Sequence, residues 1–138
     1  MLKSILVGYD ASESAERAVR FAIELAKQLH ATIRVAAFPR RSGPPSALEM
    51  TGLLESAMER LERGLVSLRD SAGTEGVLLD VKILTGRPAE AVTREATQQN
   101  ADLIVLGREG RSCIERWLSR SVAERVSSHA PCDVTIVR

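Results

Sequence analysis

Two rhythms alternate along the chain: short apolar runs, and longer stretches with helical spacing. Ser4 to Tyr9 is almost wholly apolar, which suits a strand buried on both faces, as in a parallel sheet. After Asp10, Ala11 and Ser12, the residues Ala15, Ala18, Val19, Ala22, Leu25, Ala26 and Leu29 keep the i, i+3, i+4 spacing of a helix. Glu13, Arg17, Arg20, Glu24 and Lys27 fall on its other side, and it should end near His30. Thr32 to Phe38 is a second strand. Pro39 to Pro45 is too rich in proline and glycine for regular structure. A long helix over Ala47 to Ala72 presents Leu54, Ala57, Met58, Leu61, Leu65, Leu68 and Ala72 on one face, with Gly52 and Gly64 weakening it locally. Val77 to Leu84 is a third strand, and Thr85-Gly86-Arg87 turns the chain. Pro88 takes the first position of a helix that runs to Asn100. Leu103 to Leu106 is a fourth strand that stops at Gly107, and a loop with some local order follows to Leu118. The last helix covers Val122 to His129, opened by a Ser121/Glu124 capping box and ended by Pro131. Val134 to Val137 is the terminal strand.

Strands alternating with helices predict the α/β class: a single-domain, doubly wound, five-stranded parallel sheet sandwiched by four helices, Rossmann-like. No repeat, linker or second domain interrupts residues 1–138, a length that fits one domain with a real core. Hydrophobic content of 44% and charged content of 27% match an ordinary globular chain, which argues against global disorder. A formal net charge of +1 argues against a general nucleic-acid or membrane-surface binder. The two cysteines, Cys113 and Cys132, form no CxxC pair and exclude a disulfide scaffold. With no leader-like h-region and no apolar stretch near the ~20 residues of a membrane span, the expected compartment is the reducing cytoplasm.

Charge becomes informative when it is located. Only three basic residues are lysines; the other 16 are arginines, and Arg108, Arg111, Arg116 and Arg120 fall close together. In a doubly wound sheet, ligands bind outside the carboxyl ends of the strands, at the topological switch point. Four segments reach that edge: Asp10–Ser12, the Phe38 loop, Gly86–Pro88, and Gly107 onward. In the last, Gly107 and Gly110 allow tight bends and close approach, and the helix opening near Ser121 attracts anions. Together with the arginine forks these describe a phosphate cradle, although the spacing is neither GxGxxG nor a Walker A loop.

Over nearly its whole length the chain resembles the universal stress protein family. Gly107-x2-Gly110-x9-Arg120-Ser121 is similar to that family's nucleotide signature, Gly-x2-Gly-x9-Gly-Ser/Thr, with Arg120 in place of the third glycine. Ala101–Gly107, Ser121–Val126, His129–Val134, Gly86–Ala91, and Ile5–Val7 leading to Asp10-x-Ser12 and Glu16-Arg17-Ala18 agree as well. The resemblance implies an adenine-nucleotide alpha-hydrolase-like fold. It also implies a regulatory, stress-response protein that binds ATP, with any Mg²⁺ held mainly by phosphates and water. Asp10 and the middle of the second strand, about Val35, would hold adenosine. Leu106, Gly107, Gly110, Arg111, Arg120, Ser121 and Val122 would line the phosphate side. It further implies a homodimer through Val134–Val137, an edge strand whose apolar alternation is a liability unless paired. Arg120 leaves two outcomes open. If that backbone needs φ > 0 or a bare Cα, arginine blocks the site; if not, its guanidinium can stabilise phosphates. The family also has members that bind no nucleotide, and a protein-interaction dimer of that kind is the alternative.

Several residues carry a plainer reading beside the functional one. Asp10 with Glu13, and Ser121, read equally as helix caps. Arg87 reads as a solvated turn residue, and His30 and His129 as partners of helix C-termini. Cys132 reads as a buried apolar residue, Cys113 as either inert or redox-active, and Trp117 as a loop anchor. No nucleophile elbow, H-E-x-x-H or Cys/His cluster is present, so a catalytic set is not evident and nucleotide hydrolysis would at most be slow.

Overall fold

The most apolar runs take the middle of a parallel sheet, where both faces need cover. The computed structural model describes residues 1–39, 47–108 and 120–138, and residues 47–57 and 120 by backbone alone. Its elements are β1 (Ser4–Tyr9), α1 (Glu13–Leu29), β2 (Thr32–Ala37), α2 (Ala47–Thr74), β3 (Leu79–Ile83), α3 (Pro88–Gln99), β4 (Leu103–Gly107), α4 (Arg120–His129) and β5 (Asp133–Val137). All strands are parallel in the order β3-β2-β1-β4-β5, the doubly wound arrangement expected. Right-handed crossovers put α1 and α2 on one face and α3 and α4 on the other. Ile5, Val7, Val35 and Val105 are buried at its centre, and Ile104 and Leu106 are buried with them. At the amino edge, Asp102 Oδ2 accepts from the Lys3 and Ser4 amides at 2.9 and 3.0 Å, pinning β4 to β1. Those two amide hydrogen bonds hold its carboxyl below the ordinary carboxylate range. No helix among the described residues is long and apolar enough to cross a membrane.

Several boundaries differ from the pattern. β3 is shorter than Val77–Leu84 because the Val77 amide closes the end of α2 on the Ala72 carbonyl at 2.9 Å. β3 is also covered on one side only. Leu79 and Val81 are half-buried while Asp80 and Lys82 are exposed, so the expected cover on both faces fails at this edge. Leu29, at the end of α1, is exposed, and Ile23 is buried instead. Pro88 opens α3 as expected. Both α1 and α3 end in a left-handed residue, His30 (φ 54°) and Asn100 (φ 53°). Most of the loop after Phe38 lies outside the described residues, as do the side chains of Leu54 and Ala57.

Gly64 has a different role from a weak point in α2. A Cβ there would sit 2.2 Å from the Tyr9 hydroxyl oxygen. The glycine lets α2 lie directly on the buried tyrosine at the end of β1.

Candidate functional site

β1 and β4 are neighbours whose chains leave in opposite directions, so the crevice between their carboxyl ends is the switch point of the sheet. The register Val7↔Val105 brings Tyr9 level with Gly107. A Cβ on Gly107 would lie 2.3 Å from the Ser14 carbonyl oxygen and 3.0 Å from the Ala15 nitrogen. Gly107 is therefore needed for the first turn of α1 to rest against the end of β4. This is the close helix–strand packing that a glycine serves in the dinucleotide-binding turns of doubly wound folds.

Asp10 begins the β1–α1 turn and is only 1% exposed. Its Oδ1 accepts from the Ser12 amide at 2.9 Å, closing a small turn around Ala11, which takes the left-handed φ of 64°. Its Oδ2 is buried with no hydrogen-bond partner among the described residues. A buried carboxylate oxygen without a donor is costly, and such orphans in native folds call for an explanation. Asp10 is not the helix cap, and the Asp10/Glu13 capping box is not formed. Ser12 caps α1, its Oγ accepting from the Ala15 amide at 3.2 Å and pairing with Ser14 Oγ at 3.2 Å. The cap moves because the Asx turn commits Asp10 to Ser12 and starts the helix two residues later.

Tyr9 carries a second orphan, its hydroxyl, also buried without a partner. Burial, with the negative charges of Glu16 and Asp10, pushes its pKa up to about 12, so the phenol stays neutral. Hydrophobic patterning places Tyr9 inside but cannot reveal that its hydroxyl is left alone.

The remaining expected site residues divide. Leu106 is buried at the end of β4, beneath the crevice. Val35 is wholly buried two residues short of the end of β2, and the residue level with Tyr9 is Ala37. Arg120 opens α4 in helical backbone, which removes the left-handed requirement as an obstacle. Ser121 is consequently inside the first turn of α4 rather than its N-cap, and the Ser121/Glu124 capping box is displaced. Ser121 is exposed and Val122 half-buried, and both are engaged in interactions. Gly110, Arg111, Cys113, Arg116, Trp117 and the Arg120 side chain lie outside the described residues. Arg87 is exposed and pairs with Glu90 at 3.7 Å, as a solvated turn residue would. The His129 ring nitrogen Nδ1 lies 2.9 Å from the Arg125 carbonyl, inside the last turn of α4. Cys132 is half-buried rather than buried, and desolvation with nearby Asp133 and Asp102 raises its thiol pKa, away from reactivity. No cluster of three or more potential metal ligands occurs among the described residues.

A family model described as the universal stress protein family matches residues 1–138. A universal stress protein from Thermus aquaticus is 34% identical, the match covering all of both chains. Among solved structures, the universal stress protein UspA from Lactobacillus plantarum is 26% identical. It superposes with a TM-score of 0.82 over 99% of this chain and 97% of that one. A universal stress protein in complex with cAMP, also 26% identical, superposes with a TM-score of 0.71 over 99% of this chain and 97% of that one.

Proposed function

The chain belongs to the universal stress protein family, and from that premise we propose that it binds an adenine nucleotide, ATP foremost, in the crevice between β1 and β4. The observation that carries this reading is the buried, unpartnered Oδ2 of Asp10 at the switch point of the sheet. An ionised carboxylate oxygen only accepts, so it suits a ligand offering ribose hydroxyls or an amino group. The start of α4, with Ser121 and Val122, suits phosphate through its helix N-terminus, and the family resemblance assigns Gly110, Arg111 and Arg120 to the same phosphate role. Any Mg²⁺ would arrive with the nucleotide, held mainly by phosphates and water. The complex of a relative with cAMP supports the adenine class. Function then follows from stabilising one bound state that partners recognise, not from turnover. The low cysteine usage supports a cytoplasmic setting.

One observation favours a second reading. Arg120 stands where the family signature has its third glycine, which suits a member that works as a protein-interaction dimer without nucleotide. Calorimetric titration with ATP–Mg²⁺, AMP and cAMP separates the two. Saturable heat is expected, with a rise in Tm equivalent to about 2.7 kcal/mol at a hundredfold excess over Kd. Asp10→Asn keeps the acceptor for the Ser12 amide but turns the orphan oxygen into a donor, so affinity should fall by at least about tenfold in a folded variant. Absence of heat and of thermal shift at millimolar ATP overturns the nucleotide reading and leaves the second.

A further inference from the structure

Away from the crevice, α3 and α4 pack side by side and enclose a groove of about 400 Å³ on the outer face of the molecule. Its walls come from Ala89, Glu90, Thr93 and Arg94 on α3 and from Arg125 and His129 on α4. The pairs 89/93, 90/94 and 125/129 are each four apart, so each forms a straight stripe along its helix. The groove therefore lies between two helix surfaces, with the buried Ala89 among its lining residues.

The polar groups in it are unequally used. Glu90 is paired with Arg87 at 3.7 Å, and the Thr93 hydroxyl donates back to the Ala89 carbonyl at 2.8 Å. His129 places Nδ1 against the Arg125 carbonyl. The guanidinium groups of Arg94 and Arg125 have neither ion pair nor hydrogen bond among the described residues. Other exposed cations are unpaired too; these two differ in lining one concave surface from separate helices.

We propose that the α3–α4 groove docks an acidic segment of a partner protein, its carboxylates meeting Arg94 and Arg125 and its small apolar side chains lying on Ala89. Charge complementarity sets the sign of the occupant. Arginine's planar fork suits carboxylates, and two arginines carried by separate helices suit a chain bearing several acids better than one free anion. This inference does not rest on nucleotide binding, because it uses no residue of the crevice.

The test is an amide chemical-shift titration of the isotope-labelled full chain with an octapeptide alternating glutamate and alanine. Saturable shifts confined to 89–94 and 125–129 are expected at about 1 mM peptide. Arg94→Gln and Arg125→Gln should each weaken binding at least about fivefold, while Arg69→Gln on α2 leaves it unchanged. A lysine–alanine octapeptide should produce no shifts. The proposal is overturned by the absence of shifts, by shifts spread equally over Arg20, Arg63 and Arg69, or by sulfate at equal concentration reproducing the pattern. That last result marks a free-anion site.

Discussion

A Cβ on Gly64 would meet the Tyr9 hydroxyl at 2.2 Å, but the next tyrosine atom only at 3.3 Å. The clash therefore belongs to one oxygen. Gly64→Ala should destabilise by about 1–3 kcal/mol through overpacking, more than offsetting the better helix propensity of alanine. Tyr9→Phe removes a buried hydroxyl that has no partner and should be neutral or stabilising. Adding Tyr9→Phe to Gly64→Ala should restore most of the loss, a coupling that urea unfolding of all four proteins reads directly. Simple additivity would show that Gly64 is kept for another reason. The same distinction between made and unmade hydrogen bonds sets Asp10 apart. One of its oxygens builds the turn and the other has no structural task, which is why Asp10→Asn separates fold from ligand.

Between elements, the buried carboxylate of Glu95 is the tie that holds α3 to the sparsely covered side of β2 and β3. It is 3% exposed and takes Arg34 at 3.2 Å, Lys82 at 3.0 Å and the Gln99 amide. Arg34 also reaches Asp80 at 2.6 Å. Burial pulls the Glu95 pKa up, but the hydrogen bonds from Gln99, Lys82 and Arg34 outweigh it and leave the carboxyl below its ordinary value. A group depressed in the folded state contributes stability above its unfolded pKa, and that contribution is lost as pH falls through the folded pKa. Glu95→Gln should cost about 1–3 kcal/mol at pH 7 and flatten the loss of stability on acidification. Thermal melts across the acid range check both; an unchanged acid slope would move the effect elsewhere. The sequence pattern alone assigns Glu95 no role, because a lone glutamate in a helical pattern looks solvated until the register of β2 and β3 sets Arg34 and Lys82 around it.

At the scale of the whole molecule, β5 closes the sheet on one side with an outer edge that pairs with no strand among the described residues, and Ile136 remains 39% exposed there. Such an edge is a template for a second chain. The resemblance to the family implies that two copies join through Val134–Val137. Ile136→Lys puts a charge on that strand while leaving in place Val134 and Val137, which pack against the core, and sedimentation equilibrium should show a shift from dimer to monomer. A variant as dimeric as the parent excludes the edge as the interface. A dimer joined at β5 and a partner held between α3 and α4 would use different surfaces, so both can be engaged in one assembly.

By itself the sequence determined the class of the fold, the order of its elements and the sheet edge on which doubly wound folds place their ligands. Those features follow from local rhythm: apolar runs in β1 and β4, helical spacing in α1, and proline at the start of α3 are each written within a few residues. Its likeness to a family rested in the same way on contiguous motifs such as those around Asp10 and Gly107. Tertiary structure decided what each of those residues is for. Gly107 proved to make room for the Ser14 carbonyl, Gly64 for the Tyr9 hydroxyl, and Ser12 took the cap from Asp10. Each of those roles depends on atoms brought together by crossing elements or by a turn whose hydrogen bonds the pattern does not specify. A one-dimensional pattern records which residues are buried but not which of their polar atoms are left without a partner, and on that distinction the proposed site rests.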